Sequence, residues 1–224
     1  MTDCPLTFAN QHFVARASGA LFWPAQDALI VADLHLGKSE RMARRGGALL
    51  PPYDVIETLA RLEGELSATG ARRLIALGDS FDDDLAAPAL MPALLRLAAR
   101  CDVTWIAGNH DPQAQGLPGR TLPERQIAGI AFRHIAQDNS DISGHYHPKL
   151  MFAGQRVAVF LAGAQHLILP AFGTYTGGLD CSDPVLTALV PQGCAILTGR
   201  AARMVPFPLP PRRRARPARR ALPI

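Results

Sequence analysis

Three segments of this 224-residue chain each follow an apolar run with side chains able to hold a cation: Asp33-Leu34-His35, Gly78-Asp79 and Gly108-Asn109-His110-Asp111. Further along stand a lone His134 and the group Gly144-His145-Tyr146-His147. Carboxylate, carboxamide and imidazole share one capacity: each offers lone pairs to a metal or a proton. Two Asp, one Asn and several His gathered in one place would be too costly to bury unless positive charge offsets the carboxylates, and a pair of divalent ions does so with few atoms. Asp79 lies in the middle of the set and can bridge two ions about 3.5–4 Å apart, the spacing that clamps the attacking and leaving oxygens of a phosphoryl displacement. With no thiolate in the set, mixed oxygen and nitrogen donors suit manganese or iron as well as zinc, so residue chemistry alone leaves the metal open.

Such distant segments meet only if the fold delivers each to one edge. In parallel α/β sheets the carboxyl ends of the strands share that edge, and the first half of the chain has the required alternation. An apolar run at Ala28–Ala32 reads as a strand, Tyr53–Thr69 as an amphipathic helix between Pro51-Pro52 and Gly70, Arg73–Leu77 as a strand, Pro88–Arg100 as a helix and Asp102–Ala107 as a strand. After Gly119 short strands dominate: Gly129–His134, Asp141–Ser143, Gln155–Leu161, His166–Leu169, Val185–Val190 and Cys194–Thr198. A helix-covered sheet followed by a strand-rich half predicts two packed mixed sheets with flanking helices, an α/β sandwich layered α-β-β-α. Glycine before His145 lets the backbone bend so that His145 and His147, two apart, converge rather than point oppositely; the same convergence is required of Asp33 and His35.

With 48% hydrophobic and 19% charged residues, the composition fits a globular protein and excludes fibrous or disordered classes. Residues 1–209 read as a single domain with no linker and no repeat, and 210–224 as a basic tail expected to be mobile. Low complexity begins at Pro206, where Pro and Arg dominate and no apolar face can be drawn. Six arginines (Arg212, Arg213, Arg214, Arg216, Arg219 and Arg220) lie in that tail, and without them the formal charge of +4 becomes −2. The four cysteines form no CxxC pair, so free thiols in a reducing cytoplasm are expected. The start of the chain lacks the basic and apolar regions of a signal peptide. The uncharged stretch Val157–Leu179 is broken by Pro170 and several glycines, so it reads as core strands rather than a membrane span.

The blocks DLH, GDSFDD, GNHD, a lone His and GHYH, in this order from Asp33 to His147, resemble the five-block signature of the calcineurin-like metallophosphoesterases. Asp33-Leu34-His35-Leu36-Gly37-Lys38, Leu77-Gly78-Asp79-Ser80-Phe81, Gly144-His145-Tyr146-His147-Pro148, and the later Leu169-Pro170-Ala171-Phe172-Gly173 with Gly177-Gly178-Leu179 are similar to one bacterial subgroup, the ligase-associated DNA-damage-response phosphoesterases. The resemblance covers residues 20 to 200, roughly. It implies that Asp33, His35, Asp79 and His147 hold a first metal and that Asp79, Asn109, His134 and His145 hold a second. It further implies manganese-dependent internal cleavage of single-stranded DNA in repair, with a ligase or helicase encoded nearby as a partner. His110, left free by that set, is suited to protonate the leaving oxygen, with Asp111 orienting its ring. Where the superfamily often reads GDxxDR, this chain has Asp82 followed by Asp83 and Asp84 with no arginine.

Taken singly, each of these residues has a plainer reading as a cap, a turn or a satisfied core histidine; their joint order is what points to metal. His12 and His166 belong to no block and read as solvent-facing or hydrogen-bonded within the sheet. Lys38, Arg44 and Arg45, with Arg41 between them, follow the first block on a short helix, where they either bind substrate phosphates or solvate a surface; Lys149 carries the same two readings. The tail arginines either add salt-sensitive attraction to nucleic acid or solubilise the chain end. Two rivals to a single-strand endonuclease stand beside it: a phosphoesterase for a small nucleotide or lipid-linked substrate, and a metal-stabilised nucleic-acid-binding scaffold with little turnover. No membrane association is expected, and a homodimer is compatible with the sequence.

Overall fold

The computed structural model describes residues 3–46, 51, 53–82, 86–111 and 116–210. Asp83, Asp84 and the tail arginines lie outside them. A seven-stranded sheet runs in the order β1 (Cys4–Phe8), β2 (Gln11–Ala15), β3 (Leu21–Trp23), β4 (Ala28–Val31), β5 (Arg73–Leu77), β6 (Asp102–Ile106) and β7 (Arg120–Leu122). Its first four strands pair antiparallel, and β4 to β7 pair parallel. Helices α1 (Lys38–Arg44), α2 (Asp54–Thr69) and α3 (Ala86–Arg100) fall between β4 and β6.

The second sheet contains β8 (Arg125–Ile127), β9 (Ile130–Phe132), β10 (Asp141–Ser143), β12 (Gln155–Ala162), β13 (His166–Ile168), β14 (Gly193–Leu197) and β15 (Arg203–Phe207), with β11 (Lys149–Phe152) paired to β12. Within it β9, β10 and β13 are parallel neighbours. Parallel strands therefore occur in both sheets, and both sets end at the same rim.

Strand periodicity explains the layers. Alternate residues of β4, β5 and β6 (Ile30, Ile75, Leu77 and Ile106) face the second sheet's Phe132, Phe160, Leu167 and Ile196 in a core between the sheets. The intervening Leu29, Val31, Leu74, Val103 and Trp105 pack under Leu62 and Leu66 of α2 and Leu94 and Leu97 of α3. Both faces of these strands are buried, hence their unbroken apolar runs. On the far side of the second sheet, Val159, Leu161, Ile168, Ala195 and Leu197 pack with Leu186 and Val190. The expected α-β-β-α layering is present, with a thin fourth layer.

That layer corrects one expectation. Val185–Val190, read as a strand, is instead α4 (Pro184–Leu189) and the residue that closes it. The Asp183 carboxylate accepts from the Val185 N–H, and Pro184 occupies the first turn; a capped start with proline just inside it overrides the β-branched preference of Val185, Thr187 and Val190. The low-complexity reading from Pro206 also began too early. Pro206 lies in β15 at the sheet's edge, opposite Cys194, and Phe207 beside it is buried. No helix among the described residues is long and apolar enough to cross a membrane.

Candidate metal centre

Every ligand candidate stands just past a strand end. Asp33 and His35 follow β4, Asp79 follows β5, Asn109 and His110 follow β6, His134 follows β9, and His145 and His147 follow β10. The two sheets are stitched across the rim: His134 Nδ1 donates to the Leu77 carbonyl at 3.0 Å, and the His145 N–H donates to Asp33 at 2.9 Å. The His35 N–H donates to the Asp79 carbonyl at 2.9 Å, joining the first two blocks.

The turns holding these side chains are conformationally unusual. Asp33, His35, Asp79, His145 and His147 have φ between 44° and 69°, five of the eleven non-glycine positive-φ residues among those described. Backbone in this left-handed region disfavours L-residues and concentrates where a structure must aim a functional group. A left-handed residue also reverses the usual alternation, which is how neighbours two apart come to converge.

Two groups of donor atoms result. Ligand atoms of Asp33, His35 and His147 lie within 4.8 Å of one another, as do those of Asp79, His134 and His145. In the second group His134 Nε2 stands 2.8 Å from Asn109 Oδ1, 3.2 Å from His145 Nδ1 and 3.4 Å from Asp79 Oδ2. One imidazole N–H serves one acceptor well, so this convergence of lone pairs suits a cation better than a proton. In the first group the buried Nε2 atoms of His35 and His147 make no hydrogen bond, although His147 Nε2 comes within 3.3 Å of Asp33 Oδ1. Burial of Asp33 and Asp79, 0% and 3% exposed, completes the fit to divalent metal. Burial alone would raise the Asp79 carboxyl, but His134 and the His110 N–H outweigh it and hold the group well below the usual carboxylate range. Burial opposes the charged form of His134 too, yet Asp79 and Asp33 lift it above the ordinary histidine value.

Asp82 proves to be a positioning residue. Its carboxylate accepts from His35 Nδ1 at 3.0 Å and from Arg41 Nε, fixing the ring so that Nε2 faces the other ligands. Against the effect of burial, these two partners pull its pKa below the usual range. Outer-shell carboxylates of this kind support ligand geometry, so Asp82→Asn is expected to weaken metal binding about 10–100-fold in a calorimetric titration with Mn²⁺. Unchanged affinity would mean that packing alone holds His35.

Asp111 departs from expectation. Its two carboxylate oxygens accept from the N–H groups of Gly108 (2.9 Å), Ser80 (2.7 Å) and Phe81 (3.1 Å). It clamps the second and third blocks together and does not meet the His110 ring, whose Nδ1 instead lies 3.4 Å from the Asp82 carbonyl. His110 stands 5.4 Å ring to ring from His35, partly exposed, and with His35 and Asp82 makes a third close group of ligand atoms.

Of the basic residues, Lys38 begins α1 beside the rim. Arg44 and Arg45 end it, about 9–10 Å further along at helical rise; Arg44 lies 3.9 Å from Glu40. His12 is exposed against Thr7, and His166 is buried with Nδ1 3.0 Å from Asp141, as read for residues outside the blocks.

No protein-family model matches this chain, and no curated protein does. Among solved structures, nuclease MPE of Pseudomonas putida aligns over 92% of this chain and 100% of its own, with a TM-score of 0.72 and 27% identity. The chain belongs to the metallophosphoesterase superfamily. Yfce, a phosphoesterase from E. coli, aligns over 68% of this metallophosphoesterase and 83% of its own chain, with a TM-score of 0.38 and 14% identity.

Proposed function

We propose that this metallophosphoesterase is a manganese-dependent endonuclease of single-stranded DNA acting in repair, in the cytoplasm. The observation that carries the reading is the pair of adjoining donor groups at one rim, Asp33/His35/His147 and Asp79/His134/His145, in a fold shared end to end with a nuclease. The oxygen and nitrogen donor set, free of thiolate, suits manganese.

Asp33, His35 and His147 would hold one ion, and Asp79, Asn109, His134 and His145 the other, with Asp79 available to both. Bound there, two divalent ions supply a water nucleophile at neutral pH and neutralise charge on the phosphoryl oxygens. The chain's own work is to aim and to move a proton. Asp82 fixes His35, Leu77 fixes His134 through its carbonyl, and Asp33 fixes the His145 backbone. His110, partly exposed at the edge of the group, protonates the leaving oxygen. Lys38 meets the substrate's phosphates at the start of α1. Arg44 and Arg45 belong to a more distant contact, if a long strand reaches them along the helix. A ligase or helicase remains the partner that the subgroup resemblance suggests.

The deciding experiment is cleavage of circular single-stranded DNA with Mn²⁺. Linearisation of the circles is the expected result, since only internal cutting opens a circle. Intact circles alongside rapid hydrolysis of a free nucleotide would transfer the assignment to a small-substrate phosphoesterase, and hydrolysis of neither to a metal-stabilised scaffold.

A further inference from the structure

The hairpin immediately after His147 has one face committed to the core and one open. Leu150 and Phe152 of β11 pack with Val157 against the outer core of the second sheet. Strand alternation turns Lys149 and Met151 the other way, and the register places Arg156 directly opposite Met151 and Ala158 opposite Lys149 on that same face. Arg156 is exposed, and Met151 is 54% exposed.

Both cations are tied to the loop that supports the metal centre. Lys149 Nζ donates to the Thr176 carbonyl and Arg156 to the Gly178 carbonyl, each at 2.9 Å. A Cβ on Gly178 would lie 2.1 Å from the His147 carbonyl, so this loop rests directly on a ligand residue. Next to the first anchoring carbonyl in the chain is Tyr175, 38% exposed and held at a φ of 58°. Lys38 and Arg156 both stand close enough to Lys149 to interact with it electrostatically, so three cations share one neighbourhood. No carboxylate pairs with Lys38, Lys149 or Arg156 among the described residues. The acidic group facing Arg156 is Asp180, whose Oδ1 accepts from both the N–H and the hydroxyl of Ser182.

We propose that the open face of the β11–β12 hairpin, with Lys149, Met151 and Arg156 on it and Lys38 and Tyr175 at its rim, is a track that guides single-stranded DNA to the metal centre. The inference rests on the nuclease reading of that centre. Cations spaced beside exposed apolar and aromatic side chains are what a single strand recognises, phosphates on the charges and base faces on the flat or polarisable groups. A small phosphoester reaching the ligands would leave most of this face unused.

The test compares the ratio of kcat/KM on a long single strand to kcat/KM on bis(p-nitrophenyl) phosphate in the wild type, Arg156→Ala, Arg156→Lys and Met151→Glu. Arg156→Ala should lower the ratio about tenfold at low salt and reduce the salt dependence of strand cleavage by about 0.7 in log–log slope, one phosphate contact on a single strand. Arg156→Lys should restore the slope. Met151→Glu, which removes no hydrogen bond and adds an anion to the face, should lower the ratio as well. If the wild type cuts the strand and the variants match it in ratio and slope, the track is overturned while the nuclease assignment stands. If the wild type cuts the small diester and no strand, the nuclease reading fails and the track with it.

Discussion

His110→Ala is expected to lower strand cleavage by about 10²–10⁴-fold, the usual contribution of a positioned proton donor, while elemental analysis of the purified variant should find the metal content of the wild type. The reason lies in the division of labour at the rim. Seven side chains make up the two expected ligand sets without His110, and its ring borders the centre, with Nδ1 turned to the Asp82 carbonyl. A donor acting on the leaving oxygen matters less when that oxygen leaves easily. The defect should therefore shrink markedly on p-nitrophenyl diesters, whose leaving group needs little protonation at neutral pH. The competing arrangement is physical and specific, because His110, His35 and Asp82 also form a close group of ligand atoms. Loss of a metal equivalent in His110→Ala would make His110 a ligand; retained strand cleavage would remove it from the mechanism.

Gly108→Ala should be as damaging, although the substitution adds one methyl group and changes no charge. The new carbon would lie 2.1 Å from the Asp79 backbone nitrogen, 2.2 Å from Asp79 Oδ1 and 2.7 Å from Asp111 Oδ1. A flexible side-chain tip could swing aside, but a backbone nitrogen cannot, and Asp111 is already fastened to both loops. The third block must therefore back away from the second, separating Asn109 from Asp79. Displacements of about 1 Å near reacting groups cost on the order of 10²-fold in rate, and overpacking costs about 1–3 kcal/mol. The expected result is a kcat/KM at least 10²-fold lower together with a depressed melting temperature. Gly64→Ala is the matched control: it lies within α2 with nothing within 4 Å of the added carbon, and should be neutral or stabilising by up to about 1 kcal/mol. A wild-type kcat/KM in Gly108→Ala would show that the two loops slide past each other freely.

The legible parts of this protein are those where local pattern and long-range packing agree. The runs that became β4, β5, β6, β10 and β12 are buried on both faces or tightly flanked by breakers, so they read as strands without help from the rest of the fold. The ligand blocks were legible for the same reason, each lying where such a run stops. The β1–β2 hairpin was not: its turn is Ala9-Asn10, with φ of 46° and 60°, and alanine in a left-handed position gives no turn signature. The three-residue strands β3, β7 and β8 are too short to show a period at all. At the site, sequence order placed the seven candidate ligands in one region but misread Asp111, because nothing in Asn-His-Asp says that the carboxylate turns back to three amide groups. In sequence Arg41 is one of four basic residues on or just after a short helix, yet it reaches a carboxylate 41 positions away. Partners at that separation are a property of the assembled rim.

The left-handed turns bear on any effort to move this centre elsewhere. A designer who copied the seven side chains onto another scaffold would also have to reproduce five backbone conformations that ordinary loops avoid. Each is disfavoured by roughly 1–3 kcal/mol in isolation, so a transplanted loop would relax toward common geometries and scatter its ligands. The portable unit is thus the pair of sheets with their rim, and inheritance in this lineage is expected to conserve the bend at each motif as strictly as the atom that binds.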